Sequence, residues 1–279
     1  MKKKRKNRSV SLLPSLGISV RSTRHVASKN AGVRAKISIT NSSSVLDDAQ
    51  VAAAVGALQK QVSRDFAPVW GADAELTFVP SGRLPPKGSW SLVVLDDSDQ
   101  AEDLGYHDLT ADGLPQGKVF AGSDLKGGYH WTVTASHELV EMLADPDINL
   151  NAFVQATGRT GVLLSYEVAD ACEADEYGYR IDGVLVSDFV YPAWFETFRA
   201  ARSARFDHVG HIDKPLGILP GGYLSTFDVS SGTGWHQRNA EGQPYTYAMR
   251  ARLGSRRERR RTPRDQWIRS KPRLPRRGQ

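Results

Sequence analysis

The sequence predicts an α+β protein: a mixed β-sheet packed on helices with one active-site helix, followed by a smaller β-rich C-terminal subdomain. Three observations predict it. Short β-patterned runs alternate with an Ala/Val/Leu-rich helical stretch before residue 130. Residues 134–146 then carry apolar side chains at three- and four-residue spacing. After Pro146 the pattern turns to short β-rich runs, with a hairpin signal at Asp182-Gly183. A hydrophobic fraction of 40%, with six Trp and nine Phe, is enough for a real core.

The elements follow in order. Residues 33–40 (V-R-A-K-I-S-I-T) alternate apolar and polar and read as a strand. Asn41-Ser-Ser-Ser is a turn, and Ser44 is the expected N-cap of a helix over 46–66. Residues 74–80 and 90–95 read as strands, the second more buried. Residues 96–113 read as one acidic loop. Its Asp96, Asp97, Asp99, Glu102 and Asp103 match no calcium-loop spacing, so a solvated face is the favoured reading. Residues 118–122 (K-V-F-A-G) read as a short strand. Beyond Pro146, residues 162–168, the two arms of the Asp182-Gly183 hairpin and residues 221–229 read as strands, with a turn at Gly234-Trp235.

The informative stretch is T-A-S-H-E-L-V-E-M-L-A-D-P, residues 134–146. His137 and Glu141 lie four apart, so a helix puts both on one face. Glu138 follows the histidine. This is the H-E-x-x-H arrangement of zinc hydrolases with glutamate in place of the second histidine. The competing reading is an ordinary amphipathic helix with its polar stripe in water.

A second stretch supplies a third ligand. In Y-E-V-A-D-A-C-E, residues 166–173, Glu167, Asp170 and Cys172 can all bind metal. A catalytic zinc needs three protein ligands and one open position. His137 offers nitrogen and Glu141 oxygen; Glu167 is the first choice for the third ligand and Asp170 the alternative. Cys172 reads better as a small buried hydrophobe. Glu138 is then no ligand but the base that takes a proton from water. Tyr129, His130, Tyr166, His208 and His211 are all candidates to steady an oxyanion.

S-H-E-L-V-E-M-L-A-D-P followed by Y-E-V-A-D-A-C resembles zincin metallopeptidases of the glutamate-ligand kind, in an H-E-x-x-E variant. A similar pairing, H-E-L-x-E and then E-I-x-D-x-C, marks the plant phosphate-induced, EXORDIUM-like proteins and uncharacterised bacterial and phage proteins. The match covers residues 134–173. It implies a zincin-like fold with metal at His137, Glu141 and a downstream acid. The function it implies is a metal-dependent hydrolase, a zinc metallopeptidase acting on a peptide or protein substrate. The alternative is a zincin-like metal-binding or interaction protein, virion-associated among other settings, with weak turnover or none. The Glu141 substitution motivates it. Two carboxylates and one histidine neutralise a divalent ion and make it a weaker Lewis acid. Oxygen-rich ligation also brings Mn²⁺ or Fe²⁺ into competition with Zn²⁺.

Charge divides the chain. Residues 250–279 hold thirteen Lys and Arg against Glu258 and Asp265, and residues 1–8 hold six more basic side chains. The overall +6 therefore conceals an acidic body of about −11 over residues 9–249. The expected organisation is a flexible basic segment at 1–32, a zincin-like subdomain with the metal-binding helix at 33–146, a subdomain with the third ligand and the hairpin at 147–249, and a disordered basic tail at 250–279. The tail suits nonspecific contact with nucleic acid or another acidic surface, but it shows no base-reading motif. No run approaches the ~20 apolar residues of a membrane span. A single cysteine, Cys172, excludes an intrachain disulfide and favours a reducing, cytoplasmic setting, while the basic N-terminus leaves secretion open.

Overall fold

Strands β1 (Ala35–Asn41), β2 (Ala74–Val79), β3 (Trp90–Leu95), β4 (Gly105–Leu109) and β5 (Pro115–Phe120) form one mixed sheet in the order β2-β1-β3-β5-β4. The computed structural model that reveals it describes residues 34–99, 104–155, 160–231, 234–240, 244–245, 247–249 and 267–269. Four strands are parallel; only β4 runs antiparallel, beside β5. β1 and β3 carry the Ile, Val and Leu runs of strands with covered faces, and Ile37, Ile39, Leu92 and Val94 are buried.

Helix α1 (Asp48–Lys60) begins two residues later than the pattern suggests. Its cap is Asp47, not Ser44. Asp47 accepts from the Gln50 N–H at 2.8 Å, and the Gln50 side chain returns a bond to the Asp47 N–H at 2.9 Å. Ser44 instead donates its hydroxyl to Asp96 at 2.5 Å. The helix widens into a π turn over Gln61–Phe66 and ends as α2 (Ala67–Trp70) at left-handed Gly71. The wider turn buries Gln61, whose amide donates to the Ser187 carbonyl at 2.8 Å.

Two expectations about the segment between β3 and the central helix are corrected. Residues 96–113 are not one loop, because Gly105–Leu109 forms β4. Pairing with β5, ten residues downstream, makes this strand, and a single run of G-Y-H-D-L does not announce it. The short strand expected at 118–122 starts earlier and ends at Phe120. It belongs to β5, which is internal between β3 and β4, and residues Ala121–Gly127 are helix α3. The acids of the loop have other partners: Asp96 binds Ser43 and Ser44, Asp97 pairs with Lys126, and Asp99 pairs with Lys118.

Helix α4 (Trp131–Ala144) packs against β3, β4 and β5. It stops before Pro146, as that residue requires. Beyond it, β6 (Asn151–Gln155), β7 (Gly161–Ser165), β10 (Tyr223–Asp228), β11 (Trp235–Asn239) and β12 (Pro244–Tyr245) form a second, antiparallel sheet in the order β12-β11-β10-β7-β6. The hairpin β8 (Tyr179–Ile181) and β9 (Val184–Val186) turns at Asp182 and Gly183, with φ of 51° and 87°. Both values are positive, as the tight turn demands.

Both sheets belong to one compact unit, Arg34–Gln279, and share a continuous buried cluster that runs from Ile37 and Leu92 through Leu139 and Met142 to Leu164, Trp194 and Leu224. The fold is α+β with mixed and antiparallel sheets and few helices. Among the described residues no helix is long and apolar enough to cross a membrane. The N-terminal segment 1–32 and most of the basic stretch 250–279 lie outside the described residues. Within that stretch, Trp267–Arg269 pairs antiparallel with Tyr247–Met249.

Candidate metal centre

The polar stripe of α4 does not face water. His137, Glu138 and Glu141 are 8%, 5% and 2% exposed. The sheet makes room for them with glycine. A Cβ on Gly105 in β4 would stand 2.6 Å from Thr134 Cγ2 and 3.0 Å from Glu138 Cγ. A Cβ on Gly117 in β5, the partner of His107, would instead meet Leu92 Cδ1 of β3 at 2.5 Å. Without a side chain at Gly105, the helix lies close on the edge of the sheet.

The chain closes over the helix from two sides. From the sheet, His107 of β4 points at it: Nδ1 is 3.2 Å from Glu138 Oε2 and 3.6 Å from Glu141 Oε2. From the C-terminal half, the segment after β7 brings Glu167 and Asp170, both buried. His107 Nε2 is 3.7 Å from Glu167 Oε2, and His137 Nε2 is 3.4 Å from both Glu141 Oε2 and Asp170 Oδ1. The Ala169 N–H donates to Glu141 Oε1 at 3.1 Å, which leaves Oε2 turned to the histidines.

These spacings fit a cation. Charge-assisted N–H···O bonds run about 2.7–2.9 Å, shorter than the 3.4 Å pairs at His137. Ligand bonds of about 2.0–2.2 Å at tetrahedral angles place donor atoms about 3.3–3.6 Å apart. His137, Glu141 and Asp170 bring one ligand atom each within 4.8 Å of the others, and so do His107, Glu141 and Glu167.

Burial and mutual charge shift the ionisable groups of the cluster. Burial by itself lowers the His137 pKa, but Glu141 and Asp170 outweigh it and hold it well above the usual value. Burial raises Glu141, yet His137 and then His107 pull it down to about 2. Asp170 is pushed up to about 6 by burial and by Glu141. Glu173 rises to about 8, through burial and then through Asp170 and Glu141. Carboxylates crowded out of water need positive charge to stay ionised.

Comparison with protein-family models, curated proteins and solved structures finds no match to this chain.

Of the residues singled out from the sequence, His137, Glu138, Glu141, Glu167 and Asp170 all converge. Glu167 and Asp170 divide, however: Asp170 groups with His137, and Glu167 with His107. Cys172 is buried nearby as a thiol, its pKa raised by burial and then by Asp188 and Asp207. The suggested oxyanion groups lie in other surroundings. Tyr129 is half exposed, and His130 pairs with Asp175 at 2.7 Å. Tyr166 stacks on Phe195, His208 stacks on Phe189, and His211 packs edge-on to Tyr177.

Two site residues were not legible in sequence. His107 arrives on a strand that only its partner defines. Tyr223, at the start of β10, reaches the site from the second sheet and hydrogen-bonds Asp170, and burial and then Asp170 raise its pKa well above the usual value. A third grouping, Asp188, Asp207 and His211, has a structural explanation. Asp188 accepts three backbone N–H groups, from Phe189, His208 and Val209, and Asp207 accepts three more, from Gly210, His211 and Ile212. These two carboxylates organise the loop that follows β9.

Proposed function

We propose that this chain is a metal-dependent hydrolase of zincin-like architecture, with a peptide or protein substrate. The observation that carries the reading is the pair of 3.4 Å spacings from His137 to Glu141 and Asp170, set in a cluster where Glu138 and Glu167 are buried as well. His137, Glu141 and Asp170 are the proposed ligands, Asp170 taking the place first given to Glu167. A divalent ion held there, Zn²⁺ or the harder Mn²⁺ or Fe²⁺, would polarise a carbonyl and acidify water.

The protein's own groups supply the rest. Glu138 stands one residue from the first ligand and takes the proton from water. His107 holds the Glu138 carboxylate through Nδ1 at 3.2 Å. The Tyr223 phenol stays protonated through the neutral range and stands against Asp170, one of the proposed ligands. β4 ends its sheet, so an extended peptide pairing along it would lie beside His107.

The zincin-like assignment is supported by a mixed sheet whose antiparallel end strand lies against the ligand-bearing helix. A ligand set with two carboxylates favours a second reading, a metal-binding protein with slow turnover or none. One experiment separates the readings: metal content by mass spectrometry of the wild type, His137→Ala and Glu141→Ala, beside peptide cleavage by wild type and Glu138→Ala. Metal lost in both ligand variants, with cleavage lost in Glu138→Ala, is the expected result. Metal without cleavage favours the binding protein. A wild type that takes up no metal sinks both.

A further inference from the structure

We propose that the cluster holds two divalent cations, the second bound by His107 and Glu167 and sharing Glu141 with the first. The assignment rests on the first site being a metal site, and it adds a second whose ligands come from β4 and the segment after β7.

Glu141 is common to both triads, and each triad brings its ligand atoms within 4.8 Å. Glu141 Oε2 lies 3.4 Å from His137 Nε2, and a Glu141 oxygen also lies within 4.8 Å of ligand atoms of His107 and Glu167. Glu141 Oε1 is held by the Ala169 N–H. A carboxylate so placed suits a bridge, and metal pairs in two-metal hydrolases stand about 3.5–4 Å apart.

His107 offers a nitrogen of the right kind. Ligating histidines give their second ring N–H to a carboxylate or carbonyl. Here Nδ1 faces Glu138 at 3.2 Å, a hydrogen-bond distance, and Nε2 faces Glu167 Oε2 at 3.7 Å. The second distance is too long for a hydrogen bond, but it is close to the separation of two ligands on one ion. Glu138 thus remains a base, oriented by a ligand of the second ion.

Charge balance favours two ions over one. Glu138, Glu141, Glu167 and Asp170 are all buried. With neutral imidazoles, four carboxylates need two divalent charges. A single ion would leave two negative charges in a buried site, a costly arrangement. The competing occupant is a proton on His107, which would make it an imidazolium between Glu138 and Glu167.

The test uses the full chain, stripped and reloaded with Mn²⁺, with unbound metal removed. Two ions per wild-type chain, falling to one in His107→Gln and in Glu167→Gln and to none in Glu141→Gln, is the expected outcome. The wild-type electron paramagnetic resonance spectrum should be that of an exchange-coupled pair, which becomes the six-line signal of an isolated Mn²⁺ in Glu167→Gln. The wild-type spectrum decides even if the His107 variant does not fold. One ion in the wild type, uncoupled and retained in Glu167→Gln, would overturn the second site and leave the first standing. No ion in the wild type would remove the first site as well.

Discussion

His107 and Glu138, 31 residues apart in sequence, meet at 3.2 Å in the buried space between the edge of the sheet and the central helix. The contact joins the proposed general base to a strand rather than to its own helix. A carboxylate held in this way is already oriented for proton transfer. Glu138→Gln keeps the shape and the contact to His107 but removes the base. We expect metal content to be unchanged and the hydrolytic rate to fall by about 10²–10⁴, measured as kcat on a peptide substrate beside metal analysis. Retained activity in this variant would remove Glu138 from the mechanism.

Asp170 and Glu167 both reach the cluster, but on different sides of Glu141. Asp170→Asn should therefore abolish hydrolysis and lose the ion held at His137. Glu167→Gln should leave the His137 site filled. Metal titration of the two variants, with the wild type alongside, reads the difference directly. The reverse pattern would restore Glu167 as the third ligand.

The close approach of α4 to β4 depends on Gly105. A methyl group there would stand 2.6 Å from Thr134 Cγ2. Gly105→Ala should cost about 1–3 kcal/mol by overpacking. In a domain of this size each kcal/mol lowers Tm by about 2–4 °C. Thr134→Ser removes the offending methyl and keeps the hydroxyl that donates to Asp124 at 2.8 Å. The double variant should recover part of the lost Tm in thermal melts. If it recovers nothing, the contact is not the source of the cost.

Asp188 gives a pH prediction away from the metal ligands. Burial, and then its contact with Asp207, raise its pKa from 3.8 to about 9. A carboxyl raised on folding contributes its full share of stability below the unfolded pKa and loses it as pH climbs through the folded one. The wild type should therefore weaken steadily between about pH 4 and pH 9. In Asp188→Asn the side-chain oxygen still accepts from Phe189, His208 and Val209, and the amide can donate to Asp207. This variant should melt above the wild type at pH 8.5 and show a flatter dependence down to pH 5. Parallel slopes for the two proteins would refute the raised Asp188 pKa.

Local pattern was enough for much of this protein. β3 matches its expected bounds, β1 and β2 match to within two residues, and the Asp182-Gly183 hairpin turns as its residues require. These features depend on neighbours in sequence: alternation, turn residues with positive φ, and a proline that ends α4. His137, Glu138 and Glu141 share one helix for the same reason, because 3.6 residues per turn places them there.

Tertiary structure alone decided which residues complete the site. G-Y-H-D-L became strand β4 only by pairing with β5, and that pairing delivered His107. Tyr223 came from a different sheet. The separation of Glu167 from Asp170 depends on how the segment after β7 passes the helix, and three residues of spacing carry no trace of it. The wet polar stripe that an amphipathic helix predicts became a buried one, and Gly105 lets the sheet close over it. Sequence determines what a short segment can form, since backbone preferences are local. Which carboxylates meet which histidines is set by packing between segments far apart in the chain, and only the folded chain brings those distances into being.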